Sequence, residues 1–584
     1  MARTVEWHMH AFRADFREIG QRLGIDPVMA RILVNRGQDT PEKQEKYLYG
    51  TLSDIPDPKL LKNCEAAALL LAEKIREGKK IRIISDYDVD GVTSCYVLMK
   101  ALKRLDADVS YDIPDRVRDG YGMNVRLVEE AEKDGVDTLL TADNGTAAFD
   151  AVKRAKELGM TVVVTDHHQV QELLPEADAI VNPWQPGDPY PFKDICGVEV
   201  AYKLMQVLSG LMGRALEPGY LMEFVALGTV CDVMPITDEN RIVVREGMLA
   251  MPETECTGLR ALLSAAGLLD GKKITAYHLG FIIGPCINSE GRLNSALEAM
   301  KLLMTEDAKE AGRLAEEMKE LNESRKTATK EGVEWAAGFL EESGTAERDH
   351  VIVLLIPGLH ESLAGIVAGK LRERYYRPVI VFTESEDNPE LLKGSGRSIP
   401  EYNMFESLSA VSELLERFGG HKMAAGLTIR RDVLRTLSER LNASDGLTAD
   451  QLIEKVYLDV PMPVSYVSLD LAEQLEQLEP FGNGNPKPVF AERGLIVRKI
   501  RRMGRDGATL RLRLENKHGY CSEVIVFQGE ELFQDIKIWS GDKECDTIKD
   551  IVKIDLMYQV SVNEFRGERR PECMLVHYRK STEE

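Results

Sequence analysis

Between about residues 81 and 211, short apolar runs alternate with amphipathic stretches of helical period. "IRIIS" precedes "VTSCYVLMKALKRL", "ADVSYDI" precedes "NVRLVEEAEKDG", "VDTLLTA" precedes "AAFDAVKRAKELG", and "TVVVT" follows. Strands alternating with helices of this length predict βαβ units and a parallel sheet. In open sheets of that kind, ligands gather beyond the carboxyl ends of the strands.

The residues at those ends are acids and histidines. "SDYDVDG", residues 85–91, places Asp86, Asp88 and Asp90 at alternate positions, about 6.6 Å apart on one face of an extended chain. After "VDTLLTA" comes "DNG" with Asp143, and after "TVVVT" comes "DHH" with Asp166, His167 and His168. A fourth acidic site, Asp232, closes "MEFVALGTVCD", read as a helix with a strand as the alternative. A solvated turn accounts for one Asp-x-Asp. Three strand ends in one sheet, the last with histidine, instead predict a site for a divalent cation, whose preferred ligands are carboxylate oxygens. Carboxylates with one or two imidazoles point to Mn²⁺ or Mg²⁺ rather than a thiolate-bound metal.

Further along, 305–342 is a long charged amphipathic stretch that predicts a helix joining two domains. A second α/β pattern follows in "VIVLLI", "SLAGIVAGKLRERY" and "PVIVFT", interrupted by "GSGRS" (394–398) and "GGHKMAAG" (419–426). From about 455, alternating runs such as "GLIVRKI", "ATLRLRL", "SEVIVF" and "YQVSVNEF" predict a small β-barrel. The organisation expected is an N-terminal segment 1–50, a metal-binding domain 51–304, a connecting helix 305–342, a second α/β domain 343–450 and a barrel 451–584.

Composition narrows the class. A chain of 584 residues exceeds one hydrophobic core, and its 44% hydrophobic and 29% charged residues are ordinary for a globular protein. No apolar run approaches the ~20 residues of a membrane span, and the start lacks a secretory layout, so a cytoplasmic protein without membrane contact is expected. Nine scattered cysteines without a Cys-x-x-Cys pair suit a reducing compartment and argue against a structural zinc site. The formal charge of −22 leaves any nucleic-acid contact to local patches. One is "VRKIRRMGRDGATLRLRLENK", 497–517, where Arg498, Arg501, Arg502, Arg505, Arg511 and Arg513 are candidates; a solvated basic strand is the alternative.

"SDYDVDG", "TADNG", "VTDHHQ" and "GTVCDVMP" together resemble, in order, the first four motifs of the DHH phosphoesterase family. "GRLNSA" (291–296), "GLHESLAGIVAGKL" (358–371), "GSGRSIP" (394–400) and "LLERFGGHKMAAGL" (414–427) resemble its later ones. "LEPFGNGNPKPVF" (478–490) is similar to the stretch that enters the OB-fold of the family's single-strand-specific exonucleases. The resemblance implies a parallel-sheet DHH catalytic domain, a long connecting helix, a second α/β DHH-associated domain and an OB-fold. It implies a two-metal site in which Asp143 bridges, Asp88 favours one cation, and Asp90, His167 and Asp232 favour the other. Asp86 would complete the first site or support it from behind. His168 would contact the scissile phosphate and Asp166 would orient an imidazole.

Substrate contacts are expected from Arg292, His360, Ser395, Arg397, Gly419, Gly420, His421 and Lys422. Departures from the family pattern are Ile84 where some relatives have His, Cys286 and Glu290 where Arg and Ala are usual, and Leu359 in place of Trp. The expectation is a metal-dependent exonuclease that trims single-stranded DNA 5′ to 3′, releasing mononucleotides in recombination and repair. A monomer is expected, with a helicase or single-strand-binding protein as possible partner. The alternatives are a phosphodiesterase for short oligonucleotides or cyclic dinucleotides, a pyrophosphatase, or a non-catalytic replication or repair scaffold.

Overall fold

The computed structural model describes residues 5–114, 122–271, 273–293, 296–385, 388–504, 507–540 and 552–582, the side chains of 289–293 excepted. It divides into two compact units, one of Met9–Lys319 with Tyr457–Glu584 and one of Met1–His8 with Glu320–Val456.

In the larger unit a five-stranded parallel sheet is built from β1 (Ile81–Ser85), β2 (Val109–Asp112), β3 (Thr138–Ala142), β4 (Thr161–Thr165) and β5 (Ala179–Val181), in the order β2-β1-β3-β4-β5. Its central strands are continuous apolar runs because both faces are covered. Ile83, Leu140 and Val163 pack on one side with the helices Val89–Arg104, Gly197–Leu211 and Met222–Cys231. Their neighbours Ile84, Leu139 and Val162 pack on the other with Val125–Lys133 and Phe149–Glu157. Ile84 is therefore wholly committed to core packing. "MEFVALGTVC" is the helix, not the strand; it is apolar all round because Phe224, Val225, Ala226 and Leu227 are buried on every side.

The barrel has five strands: Phe490–Met503, Thr509–Glu515, Cys521–Val526, Lys553–Phe565 and Glu568–Lys580. It closes where the first pairs with Lys553–Phe565. Residues 9–50 are not independent of it: Met29, Ile32 and Leu33 share one apolar cluster with Leu512, Val524 and Leu556. Arg241 ties the parallel-sheet domain to this assembly. Its buried guanidinium donates to Tyr47 O, Leu478 O and Gln477 O, each at 2.8 Å, and lies 4.0 Å above the Tyr47 ring. Arg241→Ala would take its donor from Tyr47 O and Gln477 O and one of the donors from Leu478 O, which Asn485 Nδ2 also serves, and a loss of about 3 kcal/mol is expected in urea unfolding.

A second buried ionic cluster lies behind the sheet. Lys203 Nζ is 3.2 Å from Glu199 Oε1 and 3.0 Å from Glu239 Oε2, and Tyr190 OH donates to the same Glu239 oxygen at 2.7 Å. Burial, opposed in part by Lys203, pushes the Glu199 carboxyl from 4.5 up to about 8. A carboxyl raised in the folded state contributes stability below its unfolded value and loses it as pH rises through the folded one. Glu199→Gln is thus expected to flatten the pH dependence of thermal unfolding between about 4.5 and 8, with the variant gaining on the parent as pH rises.

The smaller unit holds a five-stranded mixed sheet in the order Arg417–His421, Ala424–Arg430, Leu391–Arg397, Val379–Glu384, Ile352–Leu355, with only the last pair parallel. The connecting helix runs from Ala308 to Ser343. No helix of the described residues is long and apolar enough to cross a membrane.

Candidate metal centre

One structural rule places three of the acids. Each stands one residue beyond its strand, and its N–H extends the ladder onto the last residue of the next strand. Asp86 donates to Ala142 O at 3.2 Å, Asp143 to Thr165 O at 3.1 Å and Asp166 to Val181 O at 3.2 Å. The carboxylates are thereby delivered to one edge of the sheet. Asp143 takes a left-handed backbone conformation, φ 63°, which Asp tolerates better than most residues. Asp88 caps the helix Val89–Arg104, accepting from Gly91 N at 3.0 Å. Asp90, in that helix's first turn, accepts from Gly197 N at 2.6 Å and Val198 N at 2.9 Å, at the start of the helix Gly197–Leu211.

Two sets of ligand atoms result, each within 4.8 Å of one another: Asp86, Asp88 and Asp143 in one, Asp90, His167 and Asp232 in the other. Asp143 joins them, since it also groups with His167 and His168. His167 Nε2 is 3.1 Å from Asp143 Oδ1, 3.5 Å from Asp232 Oδ2 and 3.6 Å from Asp90 Oδ2. Both His167 Nε2 and Asp232 Oδ2 are buried and make no hydrogen bond among the described residues. A buried polar atom left so is costly unless something coordinates it. The donor set therefore fits a divalent cation.

Electrostatics agree. Burial, then the neighbouring acids, pushes Asp143 well above the ordinary carboxylate range, Asp90 to about 7 and Asp232 to about 8. Burial, with the adjacent His168, lowers His167 to about 4, so its imidazole is neutral at physiological pH, as a ligand must be. His168 behaves oppositely. Burial lowers it, but the 2.8 Å hydrogen bond between its Nδ1 and Asp166 Oδ1 outweighs that and raises it to about 9. Asp166 is buried, yet the His168 imidazole, helped by Thr146 Oγ1 and Thr146 N, outweighs burial and lowers it to about 2; it also accepts from His167 N and His168 N. Asp166 thus fixes the orientation of His168.

Several supporting residues carry no motif of their own. A Cβ on Gly197 would stand 2.6 Å from Asp143 Cβ, and one on Gly228 would stand 2.7 Å from Asp90 Oδ1. Both helices reach the carboxylates only because these positions are glycine. Asn144 donates to Ile84 O at 3.1 Å and Ala142 O at 2.9 Å, and Asn182 donates to His168 O at 2.9 Å. A lone Gly in the apolar "VALGTV" was the available clue to Gly228.

In the smaller unit, Arg397, Ala424 and His421 lie directly opposite one another across three strands, as do Ser395, Gly426 and Gly419. Opposed residues of antiparallel strands share a face. Polar Ser395, Arg397 and His421 thus stand on one face with the small Gly419, Ala424 and Gly426. The helix Ala364–Tyr375 meets that face at Gly365, where a Cβ would be 2.8 Å from Arg397 Nη2. Gly420 serves the hairpin itself, since a Cβ there would be 2.4 Å from Ala424 O. Lys422 is exposed in the turn, and His360 caps the short helix Glu361–Leu363 through a 3.2 Å bond from Ser362 N. The Arg292 side chain lies outside the described residues. Cys286 is buried, and Leu359 packs against the apolar cluster around Val367.

On the barrel, Arg501 opposes Arg511 and Lys499 opposes Arg513, so four cations share one face; Lys499 was not among the expected residues. Arg498 is paired with Glu515 at 2.8 Å, Arg502 with Glu530 at 2.7 Å and Arg511 with Glu523 at 3.4 Å, so part of the basic charge is met internally. Arg505 lies outside the described residues. Tyr520, Phe527 and Phe565 are exposed on the same domain, supplying stacking surfaces that the stretch 497–517 lacks.

The chain matches the DHH family, N-terminal domain, over residues 80–229, the DHHA1 domain over 348–444 and the RecJ OB domain over 458–577. It is 34% identical over 578 residues to the single-stranded-DNA-specific exonuclease RecJ of Bacillus subtilis, covering 98% of this chain and 71% of that one. It is 33% identical to the RecJ of Haemophilus influenzae, covering 96% and 97%. The crystal structure of RecJ in complex with Mn²⁺ from Thermus thermophilus superposes with a TM-score of 0.83 at 30% identity, covering 100% of this chain and 81% of that one. Motif order, strand-end acids and all three domain matches agree, and the chain belongs to the RecJ family of DHH-type single-stranded-DNA-specific exonucleases.

Proposed function

We propose that this chain is a metal-dependent exonuclease that hydrolyses single-stranded DNA from the 5′ end, releasing mononucleotides in recombination and repair. The observation that carries the reading is the convergence of Asp86, Asp88, Asp90, Asp143, His167 and Asp232 at one sheet edge, with His168 held beside them by Asp166. Asp143 lies where it can serve both ligand sets. When bound, a pair of Mn²⁺ or Mg²⁺ ions supplies Lewis acidity to the phosphoryl group and a water acidic enough to attack at neutral pH. His168, positively charged and with Nδ1 engaged by Asp166, directs Nε2 to a phosphate oxygen and balances its developing charge. Ser395, Arg397 and His421 offer donors to backbone phosphates from a face kept low by glycine. The cations Lys499, Arg501, Arg511 and Arg513 hold the strand electrostatically, which makes binding weaken steeply with salt.

An enzyme confined to single strands needs a source of them. A helicase or single-strand-binding protein is the partner class, the cytoplasm the compartment, and a monomer the working form. The test is digestion of 5′- and 3′-labelled single strands with Mn²⁺ or Mg²⁺, beside duplex DNA, a cyclic dinucleotide and pyrophosphate. Early release of 5′-labelled mononucleotide is expected. Release from the 3′ end alone would refute the polarity, and cleavage of only the small substrates would refute the exonuclease.

A further inference from the structure

The stretch "LEPFGNGNPKPVF" makes contacts in two directions. Asn485 serves the barrel side: Tyr47 OH donates to its Oδ1 at 2.7 Å, and its Nδ2 donates to Leu478 O at 2.9 Å and Pro480 O at 2.7 Å. Asn483 reaches the catalytic domain. Its Nδ2 donates to Val233 O at 2.8 Å, and its own carbonyl accepts from Ile236 N at 2.7 Å. The flanking glycines let this approach happen, since a Cβ on Gly482 would be 2.8 Å from Ile236 Cγ1 and one on Gly484 would be 3.1 Å from Pro235 Cβ.

What Asn483 grips is the turn immediately after Asp232. The helix Met222–Cys231 ends with Asp232 as its cap, and the chain reverses through Val233 N to Val230 O at 3.2 Å and Met234 N to Thr229 O at 3.1 Å. This is the helix stop that puts a left-handed residue just past the cap, a place normally given to glycine. Here it is a β-branched valine at φ 58°, a sterically unfavourable conformation for such a side chain. Burial does not hold it there, because Val233 is 65% exposed. The two hydrogen bonds from Asn483 bracket the turn, one on Val233 and one on Ile236.

Resting on the metal-centre reading above, we infer that Asn483 is a positioning residue: by holding Val233 left-handed it keeps the Asp232 carboxylate aimed at His167 and Asp90. The loop that leads into the barrel thereby completes the second ligand set from outside the catalytic domain. Loss of a partner that orients a ligand typically weakens metal binding about 10- to 100-fold.

The test is a Mn²⁺ titration of the full chain without DNA, followed by the electron paramagnetic resonance of free Mn²⁺, with single-strand kinetics alongside. Wild type is expected to bind two ions. Asn483→Ala is expected to bind one of them about 10- to 100-fold more weakly, with kcat reduced and KM for a single strand within about twofold. Adding Val233→Gly, which adopts the left-handed conformation unaided, is expected to restore most of the lost affinity. Should the alanine variant not fold, Asn483→Asp, equal in shape but lacking the donor, carries the same expectations. If wild type binds two ions and the Asn483 variant binds both as tightly, or if Val233→Gly restores nothing, this inference is overturned and the metal-centre reading stands. If wild type binds no Mn²⁺, both fall.

Discussion

Asp143→Asn is expected to abolish hydrolysis and, at the same time, to make the metal-free protein harder to unfold. The two effects have one cause. Asp143 is buried among Asp86, Asp88, Asp90 and Asp232, and burial first, then these neighbours, oppose its ionisation. Without cations the folded state carries that repulsion, and an amide of the same shape removes it. A rise of about 1 °C in the unfolding temperature of the metal-free protein is expected, from a gain of about 1 kcal/mol in a unit of this size. With Mn²⁺ the order should reverse, because an ion that binds only the folded state stabilises it by mass action and the variant has lost the shared ligand. Activity should fall by ~10³-fold or more, equivalent to ~4 kcal/mol of transition-state stabilisation. Calorimetry with and without Mn²⁺, beside a single-strand digestion assay, checks both halves. Full metal-dependent activity in Asp143→Asn would contradict the bridging role.

His168→Ala is expected to separate chemistry from metal binding. His168 lies outside the two sets joined through Asp143, its Nδ1 is engaged by Asp166, and its ring is half-exposed. Removing it should cost about 10²- to 10³-fold in kcat, the usual loss when a donor to a developing oxyanion is deleted, while Mn²⁺ affinity stays within about twofold. Asp166→Asn should lower kcat by the same route, since it releases the imidazole from its orientation. The double variant should be little worse than the poorer single one, because the two side chains act as a unit. Measuring kcat and Mn²⁺ affinity for all three proteins decides the matter. Strictly multiplicative losses would show that Asp166 acts elsewhere, for instance through Thr146.

The catalytic sheet was legible because its physics is local. "IRIIS", "VDTLLTA" and "TVVVT" are short, apolar and followed by a polar break, and each is a parallel strand buried on both faces. The acids were legible for the same reason, as each sits at a strand end where the chain turns. The helix at Met222–Cys231 was ambiguous, because a segment buried all round has no polar face to reveal its period. Residues 9–50 looked like a separate segment, yet Met29, Ile32 and Leu33 share an apolar cluster with barrel residues some 450 positions later, a pairing that no local pattern encodes.

The chain's own order of residues determined the chemistry: which groups can hold a cation, which can meet a phosphate, and that they fall at strand ends. Only the tertiary structure decided their grouping and support. Asp232 joins Asp90 and His167 because three helices converge at Gly197 and Gly228, where no other side chain would fit. Arg498 and Arg511 are partly neutralised because barrel register sets Glu515 and Glu523 beside them, and Arg502 because the helix Glu530–Ser540 starts beside it with Glu530. Asn483 acquires its place beside Val233 only when the barrel docks. Such contacts depend on approach distances of a few ångströms between segments hundreds of residues apart, which are set by the packing of whole elements and leave no trace in local periodicity.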